Sequence, residues 1–142
     1  MLRCLLILCV LFSPLTIAAD TQYGTARVAD VTSIYDADTF RVNIAGWPPV
    51  IGQRIPIRVL GVDAPEIRGK CQAEKIAARK AKQFTVALLR GGQVIELRNI
   101  QRGKYFRLLA DVFVDGQSLA TQLIGAGHAR AYDGGHRQGW CH

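Results

Sequence analysis

The sequence predicts an α+β fold that is mainly β: a small, closed or partly closed five-stranded barrel with one long helix and one or two short helices. Two short runs rich in Thr, Val and Ile come first, one long amphipathic run follows a third strand, and two more strands and a short helical run come last. Connections between the first three strands are too short for helical crossovers, which excludes a doubly wound parallel sheet.

The first two strands are predicted over residues 24–34 and 39–44, with residues 36–38 at the hairpin bend between them. Two of those three bend residues are aspartates, which are unfavourable inside strands and favourable in turns. The third strand, residues 55–62, ends at the acidic residues 63–66. Acidic side chains are therefore expected at two strand ends.

One strong helix pattern covers residues 73–90, where apolar residues recur at three- and four-residue steps and the other face is basic. Residues 93–98 and 107–114 are predicted as the fourth and fifth strands, and residues 118–125 as a short helix. The chain after Tyr132 is predicted as a loop. The predicted apolar face of the long helix comprises Ala73, Ile76, Ala77, Ala81, Phe84, Ala87 and Leu88.

Composition and charge restrict the classes of protein. The chain has 142 residues, 49% hydrophobic and 20% charged, which excludes a disordered, collagen-like or coiled-coil protein and fits one folded domain. Its formal charge is +7, spread along the chain with no run of five basic residues. This charge favours a polyanionic partner: nucleic acid, an anionic membrane surface or a cell-wall polymer.

Residues 1–19 are predicted to be a secretory signal peptide. A short basic start is followed by the apolar residues 4–17 and by two alanines at residues 18 and 19, and the apolar run is short for a bilayer span. An uncleaved membrane anchor is the alternative. Cleavage would leave residues 20–142 as one domain, a secreted or periplasmic monomer without stable membrane association.

Two cysteines, Cys71 and Cys141, remain after signal cleavage, in a compartment that permits disulfides. We expect them to form a disulfide that ties the C-terminal tail to the body of the domain. The alternative is a metal cluster of Cys141 with His136 and His142, which two distant cysteines without a CxxC spacing do not favour.

Four acids lie at the two strand ends: Asp36, Asp38, Asp63 and Glu66. If the second and third strands are neighbours, these carboxylates converge, and clustered carboxylates are costly unless a cation neutralises them. Oxygen ligands select hard ions such as Ca²⁺ or Mg²⁺. Taken singly, each acid is more typical of a solvated turn or a helix cap than of a functional site.

Arg58 lies in an otherwise apolar strand, and its permanent charge requires an anion there. A phosphate held by two hydrogen bonds would satisfy it, as would a structural salt bridge. Arg107, at the start of the fifth strand, is a weaker case of the same kind, with an exposed strand-edge arginine as the alternative. A hard cation, two arginines and a carboxylate that activates water are the components of phosphodiester hydrolysis.

Three segments, residues 34–40, 57–66 and 104–107, resemble the signature segments of the staphylococcal nuclease (thermonuclease) family in order and spacing. The resemblance covers residues 25–132 and implies an OB-fold barrel. It implies Ca²⁺, rather than Mg²⁺, held by the side chains of Asp38 and Asp63 and by the backbone carbonyl of Ala64. The remaining implied roles are the general base, Glu66; the phosphate-binding arginines, Arg58 and Arg107; and the nucleotide-contacting tyrosines, Tyr105 and Tyr132.

The chain departs from the family pattern at three positions. Ala64 replaces a threonine, but the implied metal ligand at this position is the backbone carbonyl, which alanine also provides. Ala37 replaces a glycine, which matters only if that residue needs a positive φ. Phe106 replaces the glycine before Arg107, where a bulky ring is expected to shift the arginine or reshape the nucleotide site.

The resemblance implies a Ca²⁺-dependent nuclease that cuts DNA and RNA with little sequence preference and leaves 3'-phosphate ends. Two other classes remain open. A single-stranded nucleic-acid-binding OB-fold module would not need the acids, which repel phosphates without a cation. A structural protein on envelope polymers would depend on salt but not on Ca²⁺ or the site residues.

Overall fold

The computed structural model describes residues 22–141 of the chain, so the predicted signal peptide lies outside the described residues. Within that described part, no helix is long and apolar enough to cross a membrane.

The described residues form a closed five-stranded mixed barrel with three helices, as the sequence predicts. The barrel strands are β1 (Ala26–Asp36), β2 (Thr39–Ile44), β3 (Ile55–Val59), β5 (Ile95–Arg102) and β6 (Leu108–Val114). Four antiparallel pairings join the five strands in the order β3-β2-β1-β5-β6, and a parallel pairing of β3 with β6 closes the barrel. The other elements are β4 (Val62–Asp63), β7 (Gln117–Ser118), β8 (Arg130–Ala131), α1 (Pro49–Gly52), α2 (Gln72–Gly91) and α3 (Leu119–Gly125).

The core fills the barrel with branched and aromatic side chains that alternate along the strands, as period-two patterning requires. The largest fully buried side chains include Phe40, Ile57, Leu97, Ile100, Leu119 and Leu123. Two of these, Leu119 and Leu123, come from α3 and join the same buried core as the strand residues. A rigid barrel of this kind fixes the positions of the strand ends where the acids lie.

The predicted third strand is wrong in its second half. The strand stops at Val59, turns at Leu60-Gly61 and resumes as the two-residue β4. Gly61 has a φ of 79°, a left-handed conformation that suits glycine and ends the strand. β4 pairs with β8, an element that the sequence did not predict, and this small sheet carries Asp63.

The apolar face predicted for the long helix is partly wrong. Ala81 is buried as expected, but Ile76 is exposed, and Ala78 and Thr85 are buried as well. The Thr85 hydroxyl donates a hydrogen bond of 2.8 Å to the carbonyl of Ala37. Small residues bring the helix close to the hairpin bend, so the contact face is rotated from the one predicted by hydrophobicity.

The C-terminal tail, residues 133–141, has no helix or strand, as predicted. A disulfide joins Cys71, at the start of α2, to Cys141, with Cα atoms 5.9 Å apart. This confirms the predicted pairing. The Cys141 sulfur is bonded to Cys71, so it is not available as the metal ligand that the alternative cluster required. The bridge holds the tail across the end of β4.

Candidate active site

The hairpin bend between β1 and β2 buries Asp38. Its side chain is 1% exposed, and its Oδ2 accepts a 3.0 Å hydrogen bond from the backbone N–H of Ala64. The hydroxyl of Thr39 donates to Oδ1 at 3.0 Å. These bonds join the hairpin bend to the segment that follows β4, so the two acidic strand ends converge as predicted.

Arg58 lies between the two acidic strand ends. Its Nη1 donates to Asp38 Oδ1 at 2.7 Å, and its Nη2 is 3.7 Å from Asp63 Oδ1. The register of β2 and β3, which pairs Thr39 with Arg58, sets this position. Both carboxylates therefore face one guanidinium, and the structural salt bridge considered for Arg58 is present in this structure.

The segment between β4 and α2 carries Glu66 and is fixed from two sides. Asp36 accepts a 3.0 Å hydrogen bond from the N–H of Ile67. Glu74, in the first turn of α2, accepts from the N–H groups of Lys70 at 2.9 Å and of Glu66 at 3.4 Å. Buried Glu74 thus orients the backbone that presents the side chain of Glu66.

Arg137, in the tail, contacts two of the predicted site acids. Its Nε donates to Asp63 Oδ1 at 2.6 Å, and its Nη1 donates to Glu66 Oε1 at 2.7 Å. The indole N–H of Trp140 donates to Asp63 Oδ2 at 3.2 Å. The tail therefore supplies partners to both oxygens of Asp63.

A cleft of about 840 Å³ is lined by four of the predicted site residues, Arg58, Glu66, Arg107 and Tyr132, whereas the expected metal ligands Asp38, Asp63 and Ala64 are not part of its lining. Arg107 lies on its wall, and its Nε is a buried nitrogen without a hydrogen-bond partner among the described residues. A buried guanidinium N–H without a partner is costly, which makes it a candidate for binding an anion. The cleft is lined by Tyr35, Asp36, Thr39, Arg58, Glu66, Gln101, Arg107, Tyr132, Asp133 and Arg137, among others.

Burial and charge shift three pKa values at the site. Burial is the largest effect on Asp36 and Asp38 and raises the pKa of both carboxyls, while Arg58 opposes it. Burial lowers the pKa of the Arg137 guanidinium, but hydrogen bonds and charge from Glu66 and Asp63 outweigh it and leave the pKa raised. The buried acids thus favour an additional positive charge nearby.

Comparison with known proteins connects this geometry to a family. Residues 56–139 match the family model described as staphylococcal nuclease homologue. The chain belongs to the staphylococcal nuclease family. The match includes Arg58, Asp63, Glu66, Arg107 and the tail up to Gly139.

Two fungal proteins, both named probable endonuclease lcl3, are similar to this chain. The one from Pyrenophora tritici-repentis is 29% identical over 125 residues, covering 72% of this chain and 46% of that protein. The one from Neosartorya fischeri is 30% identical over 105 residues, covering 61% of this chain and 35% of that protein. The chain thus spans less than half the length of these relatives.

The structure accommodates one departure from the staphylococcal nuclease pattern, Ala37, and places another, Phe106, at an unfavourable backbone position. Ala37 has no positive φ and is fully buried, so alanine fits without backbone strain. Phe106 has a φ of 58°, and Tyr105 before it a φ of 56°, both in the left-handed region. Phe106 therefore stands at a position whose backbone suits glycine, and it lines a separate apolar cavity of about 270 Å³ with Trp47 and Tyr23.

Of the two tyrosines expected to contact the nucleotide, one lines the cleft and the other does not. Tyr132 lines the cleft, where its hydroxyl donates to the carbonyl of Gly135 at 2.8 Å. Tyr105 is 95% exposed and is not among the residues that line the cleft. A nucleotide contact by Tyr105 stays a prediction.

The oxygen donors around Arg58 fit a hard divalent cation. Asp38 and Asp63 share Arg58, and the backbone of Ala64 contacts Asp38, so the three residues expected to hold Ca²⁺ are adjacent. Carboxylate and carbonyl oxygens suit Ca²⁺ and Mg²⁺ alike.

Sequence reasoning missed Arg137 and Glu74. Glu74 has a sequence signal, since an acid in the first turn of a helix is typical of a residue that bonds free N–H groups. Arg137 has none, because it lies in a glycine-rich loop and its position depends on the disulfide four residues later.

Proposed function

We propose that the protein is a Ca²⁺-dependent nuclease that hydrolyses phosphodiester bonds of DNA and RNA with little sequence preference. The observation that supports it best is the cleft itself, where the acids of two strand ends meet Arg58, Arg107 and Arg137. Membership of the staphylococcal nuclease family and similarity to proteins named endonucleases support the same reaction.

The catalytic step assigns each residue a separate role. Glu66 accepts a proton from water, which attacks phosphorus while the bond to the nucleoside 5'-oxygen breaks; the departing 5'-oxygen takes up a proton from solvent water to give a 5'-hydroxyl, and a 3'-phosphate remains. Arg58 and Arg107 donate to the phosphoryl oxygens as negative charge develops. Ca²⁺ held by Asp38, Asp63 and the Ala64 carbonyl would polarise a phosphoryl oxygen and offset the carboxylate charges.

Low sequence preference follows from the chemistry of the cleft. Arginines bind the phosphate, which is common to all sequences, and the ring of Tyr132 offers a stacking surface to any base. The net positive charge of the chain favours any polyanionic strand, and a monomer is sufficient because the cleft is built within one chain.

Cleavage assays test the proposal. The oxidised protein is incubated with native DNA, denatured DNA and RNA, in Ca²⁺, in Mg²⁺ and with a chelator, beside Glu66→Gln. Glu96→Gln is the matched control, since Glu96 also pairs with an arginine but lies outside the cleft. We expect cleavage that requires Ca²⁺, drops by roughly a hundredfold or more in Glu66→Gln and is unchanged in Glu96→Gln.

A nucleic-acid-binding module is the second candidate, favoured by the ion pair that engages Glu66 with Arg137. Under that function Arg137 neutralises the acids and the cleft holds single strands without cutting them. A folded protein that retards single strands on a gel but cuts none under any metal condition would replace the nuclease proposal with this one.

We also propose that the domain is exported, to the periplasm or the medium, after removal of residues 1–19, and that it does not then stay on the membrane. The apolar run of the sequence and the Cys71–Cys141 disulfide support this. Cell fractionation and the intact mass of the product test it. A full-length product in the membrane fraction would favour the uncleaved anchor.

A further inference from the structure

We propose that Arg137 is a tethered cation that competes with the divalent ion for Asp63 and thereby sets the metal affinity of the cleft. The inference rests on the proposed function, because it concerns the ion that the nuclease reaction uses. It adds a tail residue to the site, outside the three residues expected to hold the metal.

The contacts of Asp63 support competition. Asp63 is buried, and within the described residues its Oδ1 accepts from Arg137 and its Oδ2 accepts from Trp140. Each Asp63 oxygen thus already accepts from a tail donor, so a cation that binds there meets the positive charge of Arg137 and competes with these donors for the oxygen lone pairs. The guanidinium of Arg58 is farther from Asp63 than that of Arg137, at 3.7 Å.

Arg137 contacts two acids at once, so its guanidinium can take the place of a divalent ion between them. One guanidinium spans Asp63 and Glu66, and so joins an acid expected to bind metal to the acid expected to activate water. The charge of the guanidinium cannot be lost at physiological pH. Without a divalent ion, the clustered carboxylates thus retain a positive partner.

The tail is held so that this partner stays close. Cys141 is fixed by the disulfide, Arg130 donates to the carbonyl of Gly139 at 3.0 Å, and the Arg130 guanidinium lies 3.8 Å from the ring centre of Trp140. These contacts hold the chain on the C-terminal side of Arg137. A group tethered this closely has a high effective concentration at its target.

Calcium titration by calorimetry, without substrate, tests the competition. The proteins are the oxidised wild type, Arg137→Gln, Arg137→Lys and the control Arg98→Gln. Arg98 has the same 41% side-chain exposure and also makes a 2.7 Å ion pair, but it lies outside the cleft. We expect Arg137→Gln to bind Ca²⁺ about tenfold more tightly or better, because a charge-assisted bond no longer opposes the ion.

The other variants test whether the positive charge at residue 137 determines the Ca²⁺ affinity. Arg137→Lys should keep most of the wild-type affinity, since the positive charge remains, and Arg98→Gln should match the wild type. Trp140→Phe removes only the indole donor to Asp63 and keeps a ring over Arg130, so it should bind Ca²⁺ a few times more tightly and serves if Arg137→Gln does not fold.

Three results would overturn the inference. Equal or weaker Ca²⁺ binding by folded Arg137→Gln, with normal cleavage by the wild type, rejects competition and leaves the proposed function intact. Equal tightening in Arg98→Gln shows a general charge effect. A wild type and variants that all fail to bind Ca²⁺ reject the inference together with the calcium dependence of the proposed function.

Discussion

Tyr105 and Phe106 are consecutive residues in the left-handed backbone region, with φ values of 56° and 58°. The N–H of Arg107 donates to the carbonyl of Lys104 at 3.2 Å, so the two residues form the centre of a tight turn. Residues other than Gly, Asn and Asp adopt this backbone conformation at a cost of about 1 kcal/mol each. The turn sets where Arg107 enters the cleft, so strain here lies next to the candidate site.

Replacing Tyr105 with asparagine should relieve part of that strain. Tyr105 is almost fully exposed, so little packing is lost, and we expect Tyr105→Asn to raise the free energy of unfolding by about 0.5–1 kcal/mol, measured by urea denaturation. Tyr105→Ala is the control, since it removes the ring without favouring the left-handed region. Equal effects of the two variants would show that the ring, and not the backbone, determines the change.

Asp36 should make the metal-free protein less stable as pH rises. Burial raises the pKa of the Asp36 carboxyl in the folded protein above the ordinary 3.8. The contribution of Asp36 to the free energy of unfolding is therefore fully present below pH 3.8 and is lost as the pH rises through the raised pKa. The substitution Asp36→Asn keeps a side-chain acceptor for the Ile67 N–H and removes the titrating group.

Unfolding of the wild type and Asp36→Asn in chelator measures this effect. We expect the variant to gain stability relative to the wild type between about pH 4 and pH 7. A difference that stays constant or reverses across this range would contradict the raised pKa.

At the scale of elements, the segment between β4 and α2 depends on a close contact of Gly69 with Glu74. A Cβ at residue 69 would overlap the Glu74 side chain, whose carboxylate bonds the N–H groups of Glu66 and Lys70. We expect Gly69→Ala to lower the free energy of unfolding by about 1–3 kcal/mol, because those hydrogen bonds are disturbed.

Gly125→Ala is the matched control for Gly69→Ala. Gly125 is the last residue of α3, and a Cβ there meets nothing within 4 Å. The free energy of unfolding of Gly125→Ala should be unchanged or slightly higher than that of the wild type, since alanine has a higher helix propensity than glycine. Thermal melts of the two variants compare them, and equal melting temperatures would show that the Glu74 contact is not needed.

The elements themselves were largely predictable, and the exceptions have physical reasons. The hairpin acids were placed correctly because aspartate in a β-rich run marks a bend. The break after Val59 was missed because the run continues through Val62 with the hydrophobicity of a single strand, and the turn depends on one left-handed glycine. β8 was missed because two residues give no periodicity.

At the scale of the whole molecule, the barrel gathers residues from distant parts of the sequence into one cleft. Asp36, Arg58 and Glu66 could be brought together from the sequence, because strand order and hairpins bring their elements together. Arg137 could not, since its position results from the disulfide and from tail contacts that have no local pattern. The candidate site is therefore a barrel site completed by the tail.

The disulfide should account for a large share of the stability of the domain. It joins cysteines 70 residues apart, and a loop of that length restricts the unfolded chain by about 4 kcal/mol in the loop-entropy model. Cys71→Ser with Cys141→Ser tests this by denaturant unfolding; serine keeps an acceptor for the Glu74 N–H, which Cys71 bonds at 3.5 Å at the start of α2.

We expect the double variant to lose several kcal/mol and to keep the barrel, since the barrel core lies outside the tail. Arg137→Gln should lose less than the double variant, because its ion pair with Glu66 is partly exposed and contributes about 1 kcal/mol or less, and Arg58 still lies near the buried Asp63. Similar losses in both proteins would mean that the ion pair, rather than the covalent bridge, orders the tail. A small loss in both would mean that the tail adds its arginine to the cleft without stabilising the fold.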